Sequence, residues 1–176
     1  MKQNPVSRII IFLGTFFICC SCYASGTHRK VETKTSADSE VLKFLGSERL
    51  AIISTPDKIE AYQVDWQKKP PGNHATIQGY PVIAQAGDLN AEHTEILKTI
   101  IFTSKSYEFQ RAKRTRLRPS YILRFIQNTD KVDVAIDFDS RQWGFFFKGN
   151  VAEEDISEKT ALTPLTKLVD SLFKKK

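Results

Sequence analysis

The sequence predicts an α+β domain in which an antiparallel β-sheet carries two amphipathic helices packed on one face. Three observations point there. Between Pro119 and Lys148, side chains alternate at the two-residue period of strands, and the runs are broken by turn-forming residues. Behind Asn90, the residues Ile96, Leu97, Ile100 and Ile101 recur at helical spacing. The same spacing returns near the end of the chain in Leu165, Leu168, Val169, Leu172 and Phe173.

In chain order, Val41, Leu42, Phe44 and Leu45 suggest a short helix that ends at Gly46. Ala51 to Ile53 and Ile59 to Val64 read as extended apolar segments separated by Pro56 and Asp57. Residues 67–74, QKKPPGNH, form a loop by composition, and Ile77 to Ala86, with Gly79 inside it, reads as a further strand. Asn90 can cap the next helix, because its side-chain oxygen accepts from a free N–H of the first turn. Tyr121, Leu123 and Phe125 then alternate with Ile122, Arg124 and Ile126; after the turn at Asn128 to Lys131 a second strand runs through Val132, Val134, Ile136 and Phe138. Trp143, Phe145 and Phe147 predict a third strand beside it, and the polar positions Asp133, Asp137 and Asp139 predict a solvated outer face. Thr163 as N-cap with Pro164 at the first helical position opens the last helix. Lys174, Lys175 and Lys176 follow its negative end, where cations stabilise by about 0.3–1 kcal/mol each.

The first 24 residues carry a different signal. Lys2 and Arg8 precede an apolar run from Ile9 to Ile18, followed by Cys19, Cys20, Ser21, Cys22, Tyr23 and Ala24. That order is the pattern of a secretory signal peptide, and the run is short of the about 20 apolar residues a spanning helix needs. Two processing sites are compatible with it. Ser21 before Cys22 is similar to the lipobox of bacterial lipoproteins, with Cys22 as the lipid attachment site, although Cys19 and Cys20 depart from that pattern. Small residues ending at Ala24 also fit a cut that leaves Ser25 first. Residues 25–38 are polar, of mixed charge and without apolar periodicity, so they read as a tether; the stretch from Tyr23 has an r.m.s. span of about 22 Å. The expected organisation is a leader over 1–24, a tether over 25–38 and one domain over 39–176.

All three cysteines lie between residues 19 and 22. After processing, the domain has neither a disulfide nor a cysteine nucleophile to draw on. The formal charge falls from +6 to +4 when Lys2 and Arg8 leave with no acid. Such a mildly basic chain suits anionic surfaces and gives no ground for a nucleic-acid partner. The roughly 150 residues that remain suffice for one core.

Chemistry-bearing motifs are sparse. There is no Gly-x-Ser-x-Gly elbow, no His-Glu-x-x-His and no phosphate-cradling glycine loop, and His28, His74 and His93 are scattered. These residues predict no catalytic constellation, no metal and no cofactor. Asp137 and Asp139 with Glu153, Glu154 and Asp155 supply carboxylates that a hydrolase of the glycosidase sort would need, provided that two of them stand about 5–10 Å apart. The denser constellation is basic: Arg111, Lys113, Arg114, Arg116 and Arg118 lie in eight residues before Pro119. In an extended segment Arg114, Arg116 and Arg118 share a face, and with Arg124 they form the candidate anion- or partner-binding set. Pairing with Asp133, Asp137 and Asp139 across strands is the competing, purely structural use of the same guanidiniums.

The segments SYEFQRAKRTRLRPSYILRF, KVDVAIDFDS, WGFFF and LTKLVDSLF, between about residues 97 and 173, resemble a family of small exported bacterial proteins and lipoproteins of unknown function. Tyr107, Pro119 and the strand from Val132 to Phe138 follow that family's pattern, whereas Thr115 and Ser140 stand where it carries two cysteines. The resemblance implies export and a shared fold, and no activity. Together these readings predict an exported cell-envelope protein, lipid-anchored if Cys22 is modified, that binds an envelope protein through the basic segment or an exposed aromatic such as Trp143 or Trp66. The alternatives are an anionic small-molecule or polyanion binder and a carboxylate-dependent hydrolase.

Overall fold

A computed structural model of the chain describes residues 36–68, 75–110 and 115–173. The leader, Cys22, His28, His74, Arg111, Lys113, Arg114, the terminal lysines and all of the tether before residue 36 lie outside the described residues. The elements in order are α1 (Ser39–Leu45), α2 (Ser47–Ser54), β1 (Lys58–Val64), β2 (Thr76–Ile77), β3 (Tyr80–Gln85), α3 (Ala91–Phe102), β4 (Tyr121–Gln127), β5 (Asp130–Asp137), β6 (Gln142–Phe147), β7 (Asn150–Asp155) and α4 (Thr163–Phe173). The strands form one curled sheet of order β2-β3-β1-β4-β5-β6-β7, antiparallel throughout.

The α+β expectation holds, with the helices on one face. Leu97, Ile100 and Ile101 of α3 and Leu165, Leu168 and Val169 of α4 join a single core with Leu123, Phe125, Val132, Val134, Ile136, Trp143 and Phe145 of the sheet. Val41 and Leu45 of α1 and Leu50, Ile52 and Ile53 of α2 complete it. Asn90 caps α3 as its sequence requires, accepting from the His93 N–H at 2.8 Å.

Several boundaries differ from the expectation, each for a local reason. Ala51 to Ile53 is helical, not extended. Gly46, at φ 78°, lets the chain turn and start again as α2, and a three-residue apolar run has too little periodicity to tell helix from strand. The strand expected over 77–86 is a hairpin, because Gln78 and Gly79, at φ 52° and 82°, make a tight turn after Ile77. A similar turn at Lys148 and Gly149, at φ 48° and 78°, adds the unpredicted β7, whose sequence NVAEED has the charged character of an edge strand. Thr163 is not an N-cap: its backbone is already helical (φ −63°, ψ −49°), and a π-helical turn over Glu158–Leu162 precedes α4.

The largest correction concerns the outer face of the sheet. Asp133 and Asp137 were expected in solvent, yet each is 1% exposed. The β2–β3 hairpin curls over that face, and the extended strip from Thr115 to Ser120 lies against it. Together they bury a second, smaller cluster of Val64, Ile77, Leu117, Ile122 and Ala135. Gly144 makes the approach of the strip possible, since a Cβ there would lie 2.6 Å from Leu117 Cδ2. Trp143, expected among the exposed aromatics, is instead fully buried on the helix-covered face, with its ring centre 4.5 Å from that of Tyr107.

Candidate functional cleft

The strip that crosses the outer face owes its course to three main-chain anchors. The Ser120 N–H donates to the Ile136 carbonyl at 3.0 Å, the Val64 N–H donates to the Ser120 carbonyl at 2.9 Å, and the Arg118 N–H donates to Asp137 Oδ2 at 2.9 Å. Leu117 points into the small apolar cluster and is 4% exposed, so its neighbours Arg116 and Arg118 turn outward by the alternation of an extended chain. They line a cleft of about 530 Å³ whose other walls are Trp66, Thr115, Asp137, Asp139 and Ser140. Trp66 comes from the turn after β1, Asp137 from the end of β5, and Asp139 and Ser140 from the β5–β6 turn.

Asp137 organises this cleft. Its carboxylate accepts from the Arg118 N–H, from the Ser140 N–H at 3.0 Å and from the Ser140 hydroxyl at 2.6 Å. Three donors to one buried carboxylate tie the strip to the β5–β6 turn. Asp139, by contrast, is exposed and has no hydrogen bond or ion pair among the described residues. Above the cleft, the Arg118 guanidinium lies 4.7 Å from the centre of the Trp66 ring, a cation–π contact of about 0.5–1 kcal/mol at an exposed site. Neither Arg116 nor Arg118 is held in an ion pair among the described residues. Arg116 stands near Tyr80, whose phenol burial pushes above its ordinary range while the guanidinium offsets part of that rise.

The four candidate arginines therefore part company. Arg116 and Arg118 come together in the cleft, and Arg114 lies outside the described residues. Arg124 belongs to a different place, outside the lining of the cleft. It pairs with Asp133 across β4 and β5 through Nε at 2.7 Å and Nη2 at 2.9 Å, and Gln78 Nε2 completes the carboxylate's partners at 2.7 Å. The hydrogen bond that Arg124 donates to Asp133, ahead of the opposing effect of burial, raises the pKa of Arg124. The cross-strand ladder is thus real for Arg124 and absent for Arg116 and Arg118.

Among the carboxylates, Asp137 and Asp139 share the cleft, while Glu153 lies on β7 and Glu154 is buried there. Among the described residues no group of His, Cys, Asp and Glu could hold a metal ion, and no helix is long and apolar enough to cross a membrane. Thr115 and Ser140, which stand where the resembled family has cysteines, line the same cleft. What sequence reasoning missed was their convergence with Trp66 and Asp139. The one legible sign was Leu117, an apolar residue between two arginines, which marks a strip with one buried and one exposed side. No family model, no curated protein and no solved structure matches this chain, and the cleft is read from its own residues.

Proposed function

We propose that the chain is an exported cell-envelope protein that works by binding, and that the Arg116–Arg118–Trp66 cleft takes a carboxylate- or phosphate-bearing ligand or partner. The observation that carries this reading is the pair of exposed guanidiniums left without carboxylate partners among the described residues, one of them propped on an indole ring, on a strip whose Arg118 main-chain N–H is held by Asp137. Guanidiniums in fixed positions offer bidentate hydrogen bonds to planar or tetrahedral oxyanions. Export rests on the leader sequence alone, and attachment to a membrane through Cys22 is one of its two outcomes.

A carboxylate-dependent hydrolase is the weaker reading, because Asp137 would have to release three hydrogen bonds before it could act as acid or base. The test is capture of anionic ligands by the double variant Arg116→Glu/Arg118→Glu. Capture should be abolished while the melting temperature stays within about 2 °C of the parent, as both side chains are exposed. In the parent protein it should weaken as salt rises from 0.01 to 0.15 M, where the Debye length shrinks from about 30 to about 8 Å. Undiminished capture by the double variant, or indifference to salt, overturns the proposal.

A further inference from the structure

The cleft is not uniformly basic, and its mixed character narrows the ligand. Asp139 stands in the same cleft as the two guanidiniums and has no partner among the described residues. An ionised carboxylate can only accept hydrogen bonds, so a ligand group opposite it must donate. The Ser140 hydroxyl has the same requirement. Its proton is engaged by Asp137 at 2.6 Å, which leaves only oxygen lone pairs for a ligand. The cleft therefore presents two anion-seeking groups, at least two acceptors, and one flat apolar wall in Trp66, which is 37% exposed.

On that reading of the cleft as an anion site, we infer that its ligand is a sugar acid: a pyranose carrying one carboxylate and several neutral hydroxyls, either free or as the terminal residue of an acidic polysaccharide. The carboxylate sits on Arg116 and Arg118, ring hydroxyls donate to Asp139 and Ser140, and the apolar face of the ring lies along Trp66. The competing ligand chemistries fit less well. A phosphate dianion brings a second negative charge towards Asp139, where like charges repel. An α-amino acid could set its carboxylate on the guanidiniums and its ammonium on Asp139, but a small one such as alanine leaves the Trp66 wall uncovered. A sugar acid brings its hydroxyl donors without further charge and covers that wall with its ring. The cleft volume of about 530 Å³ lies within the roughly 300–1,000 Å³ of small-molecule sites.

The test is isothermal titration of the full chain with D-galacturonate, tri-galacturonate, D-galactose, L-alanine and inorganic phosphate, each repeated on Arg118→Ala and Asp139→Ala. Galacturonate or its trimer should bind at least tenfold more tightly than galactose, alanine or phosphate; a trimer preference above tenfold assigns the polysaccharide source, and parity assigns the free acid. Arg118→Ala should weaken uronate binding at least tenfold. Asp139→Ala should weaken uronate and strengthen phosphate, a sign reversal that a merely repulsive carboxylate does not produce. If Asp139→Ala strengthens both, or if phosphate or alanine binds as tightly as the uronates, the sugar-acid inference is wrong while the anion cleft stands. If none of the anions binds, both are wrong. Thermal melts of the two variants, which should stay within about 4 °C of the parent because both residues are exposed and Arg118 loses only its contact with Trp66, separate lost contacts from lost fold.

Discussion

Replacing Asp137 with asparagine distinguishes a cleft built on a structural carboxylate from one built on a reactive one. In the parent, the carboxylate is 1% exposed and serves three donors at 2.6 to 3.0 Å. Asparagine keeps one carbonyl oxygen and places an NH₂ where the second oxygen accepted, so at least one N–H is left facing another donor. An unsatisfied buried donor costs about 1–3 kcal/mol, and the loss of charge weakens the bonds that survive. Together these amount to about 3 kcal/mol. For a domain of this size, 1 kcal/mol moves the melting point by about 2–4 °C, so Asp137→Asn should melt about 6–12 °C below the parent. Circular dichroism melts with urea denaturation as a second measure give the value. Asp139→Asn is the control: exposed and unpartnered, it should change stability by less than about 0.5 kcal/mol. An Asp137→Asn protein as stable as the parent, or an Asp139→Asn protein as unstable as Asp137→Asn, refutes the reasoning and returns Asp137 to the candidates for acid–base work.

Two further predictions concern the rest of the outer face. Arg124→Ala leaves Asp133, 1% exposed, with Gln78 as its remaining side-chain partner, and should cost about 3–5 kcal/mol in urea denaturation; a loss under about 1 kcal/mol contradicts the structural assignment of that pair. The Tyr62 phenol is pushed up to about 12, first by burial and then by its hydrogen bond to Glu60 at 2.5 Å, so the unfolded chain releases this proton near pH 10 while the folded one keeps it. Its contribution to stability is therefore whole below pH 10 and is lost between about pH 10 and 12. Tyr80, Tyr107 and Tyr121, whose pKa values burial also raises, add losses of the same sign as pH rises. At the acid end, the Tyr62 hydroxyl holds Glu60 below the usual carboxylate range, and the corresponding stability fades as pH falls through the folded value. Denaturation midpoints across pH should show Tyr62→Phe losing less than the parent at both extremes, and parallel profiles count against this account.

Much of the fold was legible because it rests on local rules. The Asn90 cap, the apolar stripes of α3 and α4 and the alternation from Tyr121 to Phe147 need only the period of one element to be read. The elements that were missed are those whose identity depends on a partner. β7 is charged and half-exposed because it sits at an edge, and it becomes a strand only through its pairing with β6. Gln78 and Lys148 take up left-handed backbone without being glycine, so the turns they make carry a weak signature. The fate of the arginines could not be read at all from their spacing. Arg124 and Arg118 are six residues apart in the same charged region, yet one is held by Asp133 and the other is propped on Trp66 from the turn after β1.

The sequence by itself determined the fold class, the helix-covered core and the presence of a basic strip before Pro119, because period, capping and charge are properties of neighbouring residues. It is also the sole ground for reading the first 24 residues as an export signal. The tertiary structure alone decided which carboxylates are buried, which arginines among the described residues lack an ion-pair partner, and that Trp66, Asp139 and Ser140 meet Arg116 and Arg118 in one cleft. Those outcomes depend on the curl of the β2–β3 hairpin over the sheet and on the room that Gly144 leaves for Leu117. Both are contacts between segments far apart in the chain, and no local pattern encodes them.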